Sequence, residues 1–181
     1  ACPKCATELT VPGRLGAFLL TGFLGRGGMG AVYRGRDIAL NRAVAIKVML
    51  SSYGKDPEFV ANFRREAQAA AALNHPNVVQ IYSFGIEQGQ PYIVMELLTG
   101  GRFDAMIARG EPLDQALVVK IAVDVAEGLN AANAIGLIHG DVKPENVLLD
   151  SNGTAKVLDF GLAYFRDKDQ KPEGIWGTAY Y

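Results

Sequence analysis

Leu24-Gly25-Arg26-Gly27-Gly28-Met29-Gly30-Ala31-Val32-Tyr33-Arg34 is the stretch on which the reading of the fold turns. Glycine permits close backbone approach and dihedrals closed to other residues, so such a loop can lay its N–H groups over phosphates. Taken alone, the run reads equally as a flexible hairpin turn. Its flanks decide between folds. Dinucleotide-binding folds place Gly-x-Gly-x-x-Gly between a strand and a helix. Here one apolar run with strand character, Phe18–Leu24, precedes the glycines and another, Ala31–Arg36, follows them. A third run, Ala43–Leu50, completes an antiparallel meander.

Downstream, Asp56-Pro57 opens a helix, with Asp as N-cap and Pro at the first helical position. It runs to about Leu73, is rich in alanine, and ends at Asn74-His75-Pro76-Asn77. Two more strands fit Val78–Phe84 and Pro91–Met95, joined by a turn around Glu87–Gly89. The texture changes near Gly100. A short helix fits Phe103–Ala108 and a long one Leu113–Ile135, with Leu117, Ile121, Val125 and Leu129 on one stripe. Short strands follow at Leu137–Ile138, Val147–Leu149 and Ala155–Leu158. The class is therefore α+β, a strand-rich half with one helix followed by a helix-led half.

The chain has 181 residues, 49% of them apolar, and a formal charge of -1. That suffices for a core and points to neither nucleic acid nor a membrane surface. No run of 18 apolar residues and no signal-peptide pattern occurs. A cytoplasmic location is expected, and whether the parent chain carries a membrane anchor elsewhere is left open by the sequence. The first residue is Ala1 and the last Tyr181, which reads as a piece of a longer protein. Residues 1–16 read as a linker. It carries Cys2-Pro3-Lys4-Cys5, one knuckle of a zinc ribbon with no second pair to complete it.

Three further motifs carry chemistry. In Val44-Ala45-Ile46-Lys47 a charged side chain sits in an apolar strand, either snorkelling at an edge or serving as a point charge for phosphates. Glu66, on the helix, is a candidate partner for it. His139-Gly140-Asp141-Val142-Lys143-Pro144-Glu145-Asn146 crowds reactive groups into one loop. Asp141 can accept the proton of an attacking hydroxyl, Lys143 can steady a transferred phosphoryl group, and Asn146 can ligate a metal. Asp159-Phe160-Gly161 follows an apolar strand.

These motifs, in this order, resemble the protein kinase family over nearly all of residues 18–181, and the glycine stretch is similar to that of bacterial kinases of the eukaryotic type. The resemblance implies a two-lobe fold: an antiparallel five-stranded N-lobe with one helix over 17–98, then the first part of a helical C-lobe over 99–181, incomplete. It implies ATP and Mg2+ as cofactors and a protein Ser/Thr hydroxyl as acceptor. Leu24, Gly25, Gly27 and Gly30 would roof the nucleotide. Val32, Ala45 and Leu148 would sandwich adenine, Met95 would be the gatekeeper, and the backbone of Glu96 and Leu98 would bond the adenine edge. Lys47, paired with Glu66, would hold phosphates. Asn146 and Asp159 would hold magnesium, Asp141 would orient the substrate hydroxyl, and Lys143 would assist it. The alternatives are a nucleotide-binding scaffold without catalysis and a small-molecule phosphotransferase. Lys143, two residues after Asp141, separates the last from a protein kinase.

Three departures from the family pattern stand out. Gly140 replaces the arginine that pairs with an activation-loop phosphate, and residues 162–177 contain no Ser or Thr. Regulation by conventional activation-loop phosphorylation is therefore not expected. Arg102 stands where many members place an acid for the ribose, and Asp104 is the expected substitute. The remaining C-lobe helices are missing, so the chain is expected to expose apolar lobe surface, to associate with a second copy and to phosphorylate weakly by itself.

Overall fold

The computed structural model describes residues 13–27, 30–50, 53–110, 112–159 and 164–165. The side chains of Tyr53, Glu58, Asn62, Glu66, Tyr164 and Phe165 lie outside that description, as do Cys2 and Cys5. The first half builds one antiparallel sheet in the order β1-β2-β3-β4-β6-β5. Its strands are β1 (Arg14–Leu15), β2 (Phe18–Arg26), β3 (Gly30–Asp37), β4 (Arg42–Met49), β5 (Ile81–Glu87) and β6 (Gln90–Glu96).

Six strands form where the sequence pattern predicts five. The extra one, β1, is two residues long, too short to show a period. Gly16, at φ +54°, turns the chain so that Leu15 pairs with Phe18 and Arg14 with Leu19. Leu15 is 0% exposed and packs in the cluster of Val44, Ile46, Tyr92 and Val94. Arg14–Leu15 thus join the sheet, inside the stretch expected to be linker. The other difference is at β5, which starts at Ile81 and not at Val78. Val78 instead makes a parallel bridge to Val157, far along the chain. The β5–β6 hairpin turns through Gln88 and Gly89, both at positive φ, which matches the twist of its strands.

In β4, Val44, Ile46 and Val48 pack on one face while Ala45 and Met49 pack on the other. The second face is covered by helix α1 (Pro57–Ala71) through Phe63 and Ala67. Strand alternation places Lys47 on the α1 side with Ala45 and Met49. Asp56 caps α1, its Oδ1 accepting from Phe59 N–H at 3.3 Å.

The second half contains β7 (Gly101–Arg102), α2 (Phe103–Ala108), α3 (Gln115–Ala134), β8 (Leu137–Ile138), β9 (Val147–Leu149), β10 (Ala155–Val157) and β11 (Tyr164–Phe165). Strands β10-β9-β7 form one small sheet and β11-β8 another. Asp114 caps α3, and Gly136, at φ +77°, ends it. The expected stripe faces inward: Ile121 is buried with Val147, Leu149 and Ala155, and Leu117 and Val125 pack against them. Among the described residues no helix is long and apolar enough to cross a membrane.

The two halves meet where α3 crosses residue 77. A Cβ added at Gly128 would lie 2.6 Å from the Asn77 carbonyl oxygen. Gly→Ala in a helix interior ordinarily stabilises by about 1 kcal/mol. A backbone carbonyl held on both sides cannot yield, and overpacking of this kind costs about 1–3 kcal/mol. Gly128→Ala should therefore lower the urea midpoint. A midpoint at or above that of the unaltered chain would show that α3 shifts freely.

Candidate active site

The glycine loop joins β2 to β3, with Gly25 opposite Val32 and Arg26 opposite Ala31. Its glycines have different causes. A Cβ at Gly30 would lie 2.2 Å from the Val48 carbonyl oxygen, so the packing of β3 on β4 already demands glycine there. At Gly25 and Gly27 a Cβ would meet no atom of the described residues within 4 Å. Packing among the described residues does not explain them, and they leave room for close approach of a ligand. Gly28 and Met29 lie outside the described residues. Beneath the loop, Val32 pairs with Lys47, and Ala45 pairs with Met95. Leu24 is exposed. On the far side of the cleft, Leu148 sits in β9, half-buried, between Lys156 of β10 and Arg102 of β7.

Lys47 Nζ donates to the Asp159 carboxylate across the cleft. The two residues line a small cavity with Ala67, Ala70 and Met95. The Glu66 side chain, expected on Lys47, lies outside the described residues. Asp159 has φ +55°, a left-handed backbone that Asp tolerates better than most residues.

The catalytic-loop residues are held by their own backbone. Lys143 Nζ lies 2.7 Å from Asp141 Oδ2, with both side chains largely withdrawn from solvent. Pro144–Asn146 form one 3-10 turn, closed by Asn146 N–H to the Lys143 carbonyl at 2.9 Å. Buried Asn146 donates its Nδ2–H to the Asp141 carbonyl at 2.9 Å. Because the amide is planar, this bond turns Oδ1 the other way, as a hard oxygen ligand. Leu158 N–H donates to the Asn146 carbonyl at 2.8 Å, binding this loop to the residue before Asp159. Asn146 and Asp159 offer an amide and a carboxylate oxygen on segments joined by that bond, a donor set that suits a Mg2+ ion keeping part of its water shell.

His139 is the buried post of the loop. Its Nε2 lies 2.8 Å from the Leu158 carbonyl and its Nδ1 accepts from Asp141 N–H at 3.2 Å. A carbonyl only accepts and an amide only donates, so these partners select the neutral ring with the proton on Nε2. Burial holds its pKa below the ordinary 6.5, against the bond to Leu158 and the nearby Asp141 and Asp159 carboxylates, and Lys143 adds to the lowering. The folded chain thus binds fewer protons at His139 than the unfolded chain between the lowered pKa and 6.5. Its contribution to stability should be complete above that window and fall as pH drops through it. Replacing His139 by Asn should flatten the stability–pH curve there, and an unchanged slope would assign the acid loss to other groups.

Sequence reasoning did not find what holds the hinge, the segment 96–98. Glu96, at the end of β6, accepts at Oε1 from Gln80 N–H at 2.7 Å and from Lys156 Nζ at 2.8 Å. Its own N–H donates to the Gln80 carbonyl at 3.0 Å, so an adenine contact at Glu96 falls to its carbonyl. Leu98 follows, half-buried. A charged residue of each sign at strand positions, Glu96 and Lys156, was the available signal. Asp104, expected as the ribose acid, is instead paired with Arg102.

Comparison with known proteins agrees with this geometry. The family model described as the protein kinase domain matches residues 18–181. A probable serine/threonine-protein kinase of Streptomyces coelicolor is 41% identical over 84% of this chain and 23% of its own length. Serine/threonine-protein kinase PknL of Mycobacterium tuberculosis is 42% identical over 80% of this chain and 36% of its own. For serine/threonine-protein kinase PrkC of Bacillus subtilis the figures are 40%, 82% and 23%. The chain thus spans between 23% and 36% of the length of these relatives.

Proposed function

The chain belongs to the protein kinase family, and from that premise we propose that it transfers the γ-phosphoryl group of ATP, with Mg2+, to serine and threonine hydroxyls of proteins. The observation that carries this reading is the convergence of Asp141, Lys143, Asn146 and Asp159 through backbone bonds, with Lys47 reaching Asp159 from the opposite lobe. Gly25 and Gly27, which packing does not explain, support a roof pressed on phosphates.

In this reading Mg2+, when bound, supplies charge neutralisation between the phosphates. Asn146 Oδ1 and the Asp159 carboxylate would hold it. Lys47 moves from Asp159 to the phosphate oxygens. Asp141 accepts the hydrogen bond of the acceptor hydroxyl and takes its proton as the new O–P bond forms, while the bond to the ADP oxygen breaks. Lys143, already beside Asp141, then faces the transferred phosphoryl oxygens. Most of the acceleration is positioning and charge stabilisation, because the transition state is loose.

Activity is not gated by a phosphate on the activation segment. Gly140 has φ +82° and no side chain to pair with one, and residues 162–177 carry no Ser or Thr. The test uses the full natural chain with Mg-ATP and a generic protein substrate, before and after phosphatase treatment, with phosphosites read by mass spectrometry. Transfer to Ser or Thr at the same rate in both samples is expected. Nucleotide binding without transfer would sink the enzymatic reading, and loss of rate after dephosphorylation within 162–177 would sink the ungated one.

A further inference from the structure

We infer that the nucleotide site does not read the sugar through an acidic group, so that 2′-deoxyadenosine triphosphate binds nearly as well as ATP. This rests on the nucleotide reading above. With the base at Glu96 and Leu98 and the phosphates at Lys47 and Asp159, the sugar must cross the lip that leaves the hinge. That lip is pressed flat on β9. Gly100 N–H donates to the Leu149 carbonyl at 2.9 Å, and a Cβ at Gly100 would lie 2.0 Å from the Asp150 carbonyl oxygen. Gly101 and Arg102 pair with Leu149 and Leu148, the latter being the floor under the base.

Beyond these glycines the first side chain on the lip is Arg102, 51% exposed. The carboxylate two residues on is Asp104, and it is engaged through both oxygens: Arg102 Nε donates to Oδ1 at 2.9 Å and Arg102 Nη2 to Oδ2 at 2.7 Å. A fork-to-fork pair neutralises the acid and fixes its plane. A sugar hydroxyl crossing here meets a guanidinium with its counter-ion in place, where a single unpaired carboxylate would favour the hydroxyl by about ten-fold or more. The pair thereby sets the specificity of the sugar subsite.

The test is calorimetric titration of the full natural chain with Mg-ATP and with Mg-dATP, alongside Arg102→Ala, with folding checked by thermal melting. The unaltered protein should bind the two nucleotides within about three-fold of each other, and Arg102→Ala, which releases Asp104, should prefer ATP by a clearly larger factor. A preference for ATP above that limit in the unaltered protein, or no increase in the variant, would overturn the inference. Failure to bind either nucleotide would instead remove the nucleotide reading, and this inference with it. That outcome is distinct from ATP binding alone.

Discussion

Asp141→Asn should lower phosphoryl transfer by about 10²- to 10⁴-fold while leaving Mg-ATP affinity within about two-fold, the range expected when a positioned proton acceptor is lost. The substitution keeps size and shape. The loop around it keeps backbone bonds that do not use the carboxylate: Asn146 donates to the Asp141 carbonyl, and His139 accepts from the Asp141 N–H. Lys143 loses its anionic partner and stays within reach of the phosphoryl oxygens. Single-turnover rates and calorimetric affinities together check the split. A parallel loss of affinity would mean that Asp141 holds the nucleotide and not the acceptor hydroxyl.

Asp159→Asn should lower transfer by about 100-fold or more and should also abolish the magnesium dependence of nucleotide binding, because it removes the only carboxylate in the proposed metal pair. Asn suits this position for a backbone reason as well. Residue 159 has φ +55°, where Asn is tolerated and a β-branched residue would be strained. Lys47 keeps an oxygen to bond but loses a charge. ATP titrations in Mg2+ and in chelator should then superimpose. A surviving magnesium effect would place the ion on other ligands.

Sequence reasoning grouped many of these residues for a physical reason. Asp141, Lys143 and Asn146 lie within one loop, so their proximity is local and short spacing is enough to read it. Helices α1, α2 and α3 were legible through the Asp56-Pro57 start and the periodic stripe at Leu117, Ile121, Val125 and Leu129. What escaped depends on partners distant in sequence. The apolar run from Val78 looks like the start of a strand, yet Val78 is drawn to Val157. Strand β1 has two residues and no pattern. Glu96 read only as a backbone contact, while its side chain meets Lys156 across sixty positions. Lys47 has a partner, Asp159, that no spacing rule within one lobe would supply.

The stitch between the halves has a mechanical consequence. Val157 N–H bonds the Asn77 carbonyl at 2.9 Å, and Val79 N–H bonds the Val157 carbonyl at 3.0 Å. The connector that leaves α1 is thus fastened to the strand leading into Asp159. Opening and closing of the cleft should therefore turn α1 about this jamb, with the smallest displacements at Leu73.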